Sequence, residues 1–577
     1  MNRSRMGVVF VAAALMFAAC GGNASPSPST AATNPAATTG ATPAASPTEA
    51  IVNGGTWIFG SASDPATLDA ILIQDGESFR IAQQIYETLV ELKPGTTNEL
   101  QPGLAKTWDL SANGLTWTFH LQTGVNFSDS TPFNADAAIY NVNRWKNLAE
   151  PLRGDDYYDI TVFGGYGATS NIKAVTKIDD ATFSITLGTA KADFPTAMTL
   201  IPFAMQSPKA LQDHHADLGS KDPKNDYWQK APTGTGPFMF AGDFVTGDHY
   251  AIVKNPNYWD TANAAHLDKI IFKPIAESAN RLAALKAGSV DTIDFVDANQ
   301  TPDVSADKSL QLLPRTPLAV GKLAFNQTHK PFNDVKVRTA IALAINKQAI
   351  VDQYFPNGAA SAADSDLINV MPAYEKNASV GAFNLQAAKD MLATSSCPAP
   401  CAIDFWYPTD TSRPYMVDPK GEFELIRGML EDAGFKITPQ HKPWHGGYLT
   451  DEANGVYPMF FIGWIYDYAD PADGPGLFYA TSTADCNGVK QTGPHNCEFG
   501  EDNAALQAAM AKAFPEPNDA TRTQDWKDVM KIVNADVPVV PLVWAGSYLA
   551  STTHVHGYIT SPTQSEFFNI VWKDAGS

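Results

Sequence analysis

The sequence contains no apolar run long enough to form a stable transmembrane helix. The stretch from Met6 to Phe17 is too short, and the most apolar later segment, Met459 to Ile465, is shorter still. There is no Gly-x-Ser-x-Gly turn, no His-Glu-x-x-His helix and no phosphate-cradling Gly-x4-Gly-Lys run. We therefore predict a protein that is not an enzyme and that carries no cofactor and no bound metal.

Positive charge is also scarce, with 40 Lys and Arg against 61 Asp and Glu, a formal net charge of −21. Such a chain repels nucleic acid and anionic lipid surfaces, so we expect no nucleic-acid partner. With 577 residues, of which 44% are hydrophobic, the chain exceeds what one core usually serves. We expect two or three domains and a monomeric protein.

The N-terminus has the features of an export signal. Arg3 and Arg5 precede the short apolar stretch, and Ala18-Ala19 supplies small residues for cleavage before Cys20. The segment resembles bacterial lipoprotein signals, although Phe17 stands where a leucine is usual. We predict a signal peptide at 1–19 and lipidation of Cys20, which would anchor the protein to the outer face of the cell membrane.

A biased segment follows the predicted cleavage point. From Asn23 to Ala50 the residues are almost all Ala, Ser, Thr, Pro and Gly, and the first tryptophan is Trp57. Such a composition cannot bury a core. We predict that 20–50 forms the lipidated cysteine and a flexible stalk.

Four cysteines remain, in two close pairs: Cys397 with Cys401, and Cys486 with Cys497. In an exported, oxidising setting they predict two local disulfides, because short loops close at low entropic cost. A zinc site is the alternative, but no histidine shares the spacing of the first pair.

Strand and helix patterns alternate along the rest of the chain. Leu115 to Leu121 alternates apolar and polar residues after a turn at Asn113-Gly114, and a second two-stranded unit is predicted around Phe183 to Leu187. Helices are predicted over Asp334 to Ile345 and over Glu422 to Gly434. This mixture indicates α/β or α+β domains.

Several blocks resemble one family, the oligopeptide- and dipeptide-binding proteins of ATP-driven importers, which are family 5 extracellular solute-binding proteins. The blocks occur in the family's order: PGLAKTWDLSANGLTWTFHLQTGVNFSDSTPFNADAAIYNVNRW at 102–145, TGTGPF at 233–238, NPNYW at 255–259, RLAALKAGSVD at 281–291, LAFNQTHKPFNDVKVRTAIALAINKQAIVD at 323–352, GWIYDYADP at 463–471 and VPVVPLVW at 537–544. Together they cover nearly everything from Gly55 onward.

The resemblance implies an α/β fold of the two-lobed periplasmic-binding-protein type (type II), with a discontinuous first lobe and a small extra α+β domain. If the family's domain boundaries apply to this sequence, the first lobe would comprise 51–91, 206–322 and 546–577, the small domain 92–205, and the second lobe 323–545. The crossings near 322 and 546 would form the hinge.

Asp467 is the first candidate for ligand binding. It follows an apolar run among aromatic residues, so its carboxylate would be poorly hydrated and would need a cationic partner. The resemblance implies that it holds the α-ammonium of a peptide, in preference to Asp470. The alternative is that Asp467 caps a turn or pairs with an internal Lys or Arg.

Arg413 is the second candidate for ligand binding. Its segment, Ser412-Arg413-Pro414-Tyr415, resembles a segment of dipeptide-binding proteins whose arginine binds the ligand carboxylate. A planar guanidinium suits that group better than lysine does. A surface arginine is the alternative, since 416–418 departs from the family pattern. Aromatic residues are expected to shape the rest of the cleft, and burial in the core is the alternative for each of them: Trp464, Tyr468, Tyr415, Trp406 and Trp444.

Three functions follow. The first is the extracytoplasmic subunit of an ABC importer, which encloses a short peptide, from dipeptide to oligopeptide, and delivers it to the transmembrane permease subunits. The second keeps the fold but binds an oligosaccharide, an opine or a nickel complex. The third, from another class, is a secreted hydrolase or a surface adhesin.

Overall fold

The structure is a computed structural model, and it describes residues 50–377, 382–479, 481–486, 489–492, 504–563 and 566–576. The predicted signal peptide, Cys20 and all but the last residue of the predicted stalk lie outside these ranges, as does Cys497. Within the described residues, no helix combines the length and hydropathy that a bilayer crossing requires.

The strands are named in chain order. They are β1 (Thr56–Ser61), β2 (Val90–Leu92), β3 (Leu100–Pro102), β4 (Ala105–Leu110), β5 (Thr116–Leu121), β6 (Ile172–Asp179), β7 (Thr182–Leu187), β8 (Phe238–Val245), β9 (His249–Lys254), β10 (Lys269–Pro274), β11 (Thr292–Ile293), β12 (Leu310–Pro314), β13 (Ala319–Phe325), β14 (Ala360–Ala362), β15 (Cys401–Thr409), β16 (Phe435–Pro443), β17 (Met459–Ile465), β18 (Thr481–Cys486), β19 (Val489–Thr492), β20 (Val539–Ala545), β21 (Tyr548–Thr552), β22 (Val555–His556) and β23 (Trp572–Lys573).

The α-helices lie between these strands, in keeping with an α/β fold. They are Gly76–Ile85, Ala135–Lys146, Tyr158–Phe163, Phe194–Ala197, Pro208–Asp213, Tyr227–Lys230, Ser278–Lys286, Thr301–Ala306, Val335–Ala344, Lys347–Tyr354, Leu385–Ala393, Pro419–Ala433, Leu449–Ala453, Pro475–Tyr479, Ala504–Ala513 and Asp519–Asp536.

Two large mixed sheets form the framework. A seven-stranded sheet has the order β12-β21-β11-β1-β10-β9-β8, with β1 parallel to β10 and β11. A six-stranded sheet has the order β14-β20-β13-β17-β15-β16. Every residue of β13 and β20 in its centre is buried, because helices and loops cover both faces, so these strands are continuously apolar with few exceptions.

A third, four-stranded antiparallel sheet has the order β4-β5-β7-β6. The predicted alternation is confirmed in β5, where Trp117, Phe119 and Leu121 are buried. The two hairpins predicted as separate units are joined, because β5 pairs with β7 along its whole length and Phe119 stacks on Phe183. They therefore share one apolar core.

Capping residues set the helix limits in the second half of the chain. The helix predicted over Asp334 to Ile345 is present as Val335–Ala344, and Asp334 is its N-cap, whose side chain accepts a hydrogen bond from the Lys336 backbone N–H. The helix predicted from Glu422 begins three residues earlier, at Pro419, after its cap Asp418. It ends at Gly434, which has φ +105°.

Two short connections join the two large sheets. One runs from the end of β12 to the start of β13, through residues 315–318, and the other is Gly546-Ser547 between β20 and β21. They lie side by side, since the Arg315 backbone N–H donates to the Ser547 carbonyl at 2.9 Å. A Cβ atom on Gly546 would lie 2.4 Å from the Arg315 carbonyl oxygen, so only glycine fits this crossing.

A buried charge cluster fixes the first connection. Arg315 forms ion pairs with Asp294 at 2.6 Å and with Glu566 at 2.7 Å, and all three side chains are almost fully buried. Arg80 completes the cluster by pairing with Asp294 and Glu77. Because each buried charge has an opposite partner, the cluster ties the first helix, the connection and the C-terminal segment together.

Candidate binding site

A cavity of about 1000 Å³ opens among the segments that feed the three sheets. Its wall takes Phe79 from the first long helix, Tyr158 from the small sheet's region, Ile465 from β17 and Tyr548 from β21. The volume lies at the upper end of what small-molecule sites offer, and the wall is mostly apolar with a few polar groups. These properties are those of a ligand-binding cleft.

Asp467 contributes a carboxylate to the wall of this cavity. It lies two residues after β17 and is half-buried, and its Oδ1 accepts a hydrogen bond of 2.9 Å from the Tyr158 hydroxyl. Burial raises the pKa of Asp467 to about 6, although the bond from Tyr158 acts in the opposite direction. No Lys, Arg or His of the described chain forms an ion pair with it.

A second acid lies behind Asp467. Asp473 is buried, and its Oδ2 accepts the backbone N–H groups of Asp467 at 2.5 Å and Tyr468 at 3.1 Å. Burial, followed by the nearby charge of Asp467, raises the pKa of Asp473 well above its ordinary range. The loop is thus shaped by one acid and presents another to the cavity.

Asp470, the competing acid in the same loop, is already neutralised. Arg522 donates two hydrogen bonds to its carboxylate, at 2.6 and 2.7 Å. A bidentate pair of this kind is strong and leaves the carboxylate little capacity for a ligand. The geometry therefore distinguishes Asp470, locked to an internal cation, from Asp467, which is not.

Arg413 lies on the same cavity wall. Its backbone exchanges two hydrogen bonds of 2.9 Å with Met416, which fixes a tight turn after β15. Its guanidinium carbon lies 4.6 Å from the ring centre of Trp444, a cation–π contact. Its Nε atom is buried without a hydrogen-bond partner, and no carboxylate of the described residues pairs with the guanidinium.

The aromatic residues predicted for the cleft do not line this cavity. Trp464 donates from Nε1 to the Asp473 carbonyl at 2.7 Å, and the Tyr468 hydroxyl donates to Asp193 at 3.0 Å. The others have the following places: Trp406 stacks on Tyr457, Tyr415 packs against Gly463, and Trp444 contacts the guanidinium of Arg413.

The hydrogen bond from Tyr468 to Asp193 belongs to a bridge between the small sheet's region and the region of the six-stranded sheet. Asp193 also pairs with Lys191 at 2.7 Å, and the Ala192 backbone N–H donates to the Phe514 carbonyl at 3.2 Å. Tyr468 follows β17, whereas Asp193 follows β7 of the small sheet. This bridge therefore fastens the small sheet's region to the region of the six-stranded sheet, outside the cavity.

The sequence did not single out several residues of the wall. Tyr158, the hydrogen-bond donor to Asp467, begins a short helix and lies in no pattern that marks a site. Asp75, Asp297 and Asp418 also line the cavity, and each sits in a helix-capping position. Acids are common wherever helices begin, so their placement around the cavity emerges only in three dimensions.

The cysteine predictions have different outcomes. The sulfur atoms of Cys397 and Cys401 lie 2.16 Å apart, so the structure brings the first predicted pair together. The second pair cannot be followed, because Cys497 lies outside the described residues. No cluster of metal-ligating side chains occurs among the residues that the structure describes.

The sheets and the cleft between them define a two-lobed solute-binding protein, and comparison with known proteins gives the family. Residues 99–485 match the family model described as "Bacterial extracellular solute-binding proteins, family 5 Middle". The chain therefore belongs to the family 5 bacterial extracellular solute-binding proteins. The family prediction and the fold-class prediction are confirmed.

Relatives match along nearly the whole chain. Heme-binding protein A of Haemophilus influenzae is 28% identical over 562 residues, which is 96% of each chain. Di/tripeptide-binding protein 1 of Pseudomonas aeruginosa is 28% identical over 88% of this chain and 92% of its own. Both matches extend over most of the length of each protein.

Solved structures share the fold. HbpA2 from Haemophilus parasuis superimposes with a TM-score of 0.77 at 25% identity, covering 90% of this chain and 100% of that one. The periplasmic binding protein DppA from Helicobacter pylori, in complex with the peptide STSA, gives a TM-score of 0.71 at 24% identity, covering 91% and 99%.

Proposed function

We propose that the protein captures short peptides between its two lobes and delivers them to the membrane permease of an ABC importer. The observation that carries this proposal is a pair of unmatched opposite charges on one cavity wall. The carboxylate of Asp467 lacks a cation, and the guanidinium of Arg413 lacks a carboxylate, among the described residues. A peptide carries both missing charges, one at each end.

The energetics favour a ligand that supplies a cation for Asp467 and a carboxylate for Arg413. A half-buried carboxylate with a raised pKa is destabilised in its ionised form, and an arriving ammonium relieves that cost. Removing one partner of a buried ion pair typically costs roughly 3 to 5 kcal/mol, which corresponds to a loss in affinity on the order of a hundredfold or more. The relative named a di/tripeptide-binding protein supports the same ligand class.

The test uses variants and modified peptides together. A tripeptide, its N-acetylated form and its C-amidated form are titrated by calorimetry into the wild type, Asp467→Asn and Arg413→Gln. We expect acetylation to weaken binding to the wild type on the order of a hundredfold and to cost little in Asp467→Asn, because the charge pair is then already broken. Amidation should behave in the same way with Arg413→Gln.

A matched control removes one negative charge elsewhere. Asp432 is exposed on the helix Pro419–Ala433 and is absent from the cavity wall, so Asp432→Asn should bind all three peptides as the wild type does. If acetylation costs the same in the wild type and in Asp467→Asn, Asp467 does not hold the ammonium. If the unmodified peptide does not bind the wild type, peptide capture itself is wrong.

A ligand screen tests the other ligand classes that the fold could bind. In the part of the chain that the structure describes, the cavity wall carries no His, Cys or Met, which commonly ligate nickel and haem iron, and its aromatic side chains are Tyr and Phe. Thermal-shift screening with peptides, oligosaccharides, opines, nickel complexes and haem compares them directly. A ligand at a hundred times its dissociation constant stabilises the protein by about 2.7 kcal/mol.

The same samples test the other class of function. A peptide recovered uncut after incubation with the protein argues against a secreted hydrolase. Lipidation at Cys20 would keep the binding protein beside its permease, and mass spectrometry of the N-terminal fragment from cells would detect the attached acyl chains. A fragment that begins elsewhere, or lacks the added mass, would contradict that anchor.

A further inference from the structure

We infer that Tyr158 makes Asp467 a site for an ammonium group rather than for a guanidinium group. This inference rests on the proposed function and narrows the ligand class, because it concerns which cation the carboxylate accepts. The Tyr158 hydroxyl donates to Oδ1 of Asp467 at 2.9 Å, whereas Oδ2 accepts no hydrogen bond from the described residues. One oxygen of the carboxylate is therefore left for a ligand.

Asp470, three residues further along the same loop, shows the geometry that a guanidinium requires. Arg522 donates to both of its carboxylate oxygens, at 2.6 and 2.7 Å, in the bidentate arrangement that a planar guanidinium favours. A ligand guanidinium could form the same pair with Asp467 only by displacing the hydroxyl of Tyr158. An ammonium group needs only one oxygen, because it is a compact point charge.

The side chain of Tyr158 is held in place by two aromatic neighbours. It is buried, and its ring meets Phe79 edge to face with the ring centres 5.9 Å apart. It meets the ring of Tyr157 in the same way at 5.1 Å. Asp467 is the hydrogen-bond partner of its hydroxyl, and an unpaired buried hydroxyl is costly. A ligand that displaces this hydroxyl should consequently bind less tightly.

The carboxylate that accepts this bond is restrained as well. Asp473 accepts the backbone N–H groups of Asp467 at 2.5 Å and of Tyr468 at 3.1 Å, which fixes the loop behind the carboxylate. Asp467 is half-buried and lines the cavity, and its Oδ2 is not among the fully buried polar atoms that lack a partner. This arrangement leaves Oδ2 accessible to a ligand while Oδ1 stays bonded to Tyr158.

We expect about tenfold discrimination between the two kinds of cation. A guanidinium that displaces the hydroxyl loses one hydrogen bond to a charged group, and one that leaves it in place pairs with a single oxygen. Such a hydrogen bond corresponds to about tenfold or more in affinity. Tyr158→Phe removes the hydroxyl and keeps the ring, so both oxygens become available and the discrimination should fall to about threefold or less.

The same hydrogen bond affects the ionisation of Asp467. Burial raises the pKa of Asp467, and the bond from Tyr158 lowers it. Its removal in Tyr158→Phe should raise this pKa further, so the loss of affinity on acidification should begin at a higher pH than in the wild type. Tyr157 and Asp473, the other titratable groups near Asp467, are unchanged in the variant. A role of Tyr158 in packing alone would not move this pH profile.

The experiment measures dissociation constants of Gly-Ala-Ala and of the analogue in which a guanidino group replaces its α-amino group. Calorimetry at pH 7, followed by a series from pH 5 to 7, compares the wild type with Tyr158→Phe. Tyr157→Phe is the matched control, because its hydroxyl lies near Asp467 but does not bond to it. Thermal unfolding verifies that each variant is folded, and binding of the unmodified peptide gives a second check.

In the wild type and in the control we expect the ammonium peptide to bind about tenfold more tightly than the guanidino analogue. In Tyr158→Phe this ratio should fall to about threefold or less, and the pH profile should shift upward. Equal binding of the two ligands to the wild type, or an undiminished ratio or an unshifted pH profile in Tyr158→Phe, would overturn the inference and leave peptide capture intact. The same fall in Tyr157→Phe would also overturn it. Failure of the unmodified peptide to bind the wild type would instead refute the proposed function.

Discussion

The raised pKa of Asp467 makes peptide affinity depend on pH in a defined direction. Burial raises this pKa to about 6, and an ammonium ligand requires the ionised form. Below pH 6 the free protein holds a proton on Asp467 that must leave when the peptide binds. Affinity should therefore fall as the pH drops through 6 and be greatest near pH 7, above which the peptide's own ammonium begins to lose its charge.

The magnitude follows from the ionised fraction of Asp467. With a pKa of about 6, that fraction falls from about 0.9 at pH 7 to about 0.09 at pH 5, which weakens binding about tenfold, or about 1.4 kcal/mol. The peptide's own termini stay largely charged in this window, because their pKa values lie near 8 and 3.5. The change in affinity then reports on the ionisation of Asp467 and not on that of the peptide.

The groups that face Asp467 define the control. Tyr158 donates to its carboxylate, Tyr157 lies close by, and Asp473 lies behind the loop, with its own pKa raised by burial. Burial and the Asp467 charge raise the pKa values of both tyrosines, so neither ionises between pH 5 and 7. Asp467→Asn removes the titrating group and should abolish most of the pH dependence.

Calorimetry measures the effect in two ways. Dissociation constants at pH 5, 6 and 7 give the slope, and titrations in two buffers of different ionisation enthalpy give the protons released. At pH 6 we expect about half a proton to leave per peptide bound. A constant affinity across this range, or the same slope in Asp467→Asn, would refute the role of Asp467.

Two further predictions concern residues outside the cavity. Tyr468→Phe removes the hydroxyl that bonds to Asp193 and so weakens the contact between the small sheet's region and the region of the six-stranded sheet. If this contact holds the two regions around the ligand, peptide affinity should fall about threefold to tenfold although Tyr468 does not line the cavity, and an unchanged dissociation rate in stopped-flow measurements would contradict that role. Cys397→Ser should lower the free energy of unfolding in urea by about 2 kcal/mol, since the loop it closes with Cys401 is short, and should leave affinity unchanged. A reductant should lower the wild type to the same level, and a wild type insensitive to reductant would contradict the disulfide.

Local pattern predicted the regular elements well where one face of an element is buried. The alternation in β5 and the apolar period of the helix Val335–Ala344 are local properties of the chain, and the structure has both elements. The start of the helix Pro419–Ala433 was set too late, because the apolar period begins at Phe423 whereas the cap and proline precede it. The joining of the two hairpins depends on long-range pairing, which no local pattern contains.

The two charged candidate residues carry signals in the sequence, since Asp467 lies in the block 463–471 and Arg413 lies in a segment that resembles one of dipeptide-binding proteins. Their partners could not be found in this way, since Tyr158 lies 309 positions from Asp467. Trp464 stays away from the cavity wall for a simple geometric reason. Successive residues of a strand point to opposite faces, so Ile465 on the wall directs its neighbour Trp464 away, towards Asp473.

The buried charges around Arg315 limit where the molecule can bend. Asp294 and Glu566 hold this residue at the end of the seven-stranded sheet, so rotation there would expose several unpaired charges at once. The fulcrum of lobe closure should then lie just beyond it, in residues 316–318, with Gly546 as the opposite pivot. Because only a few backbone bonds would rotate, the region of the seven-stranded sheet would turn against that of the six-stranded sheet about a single axis.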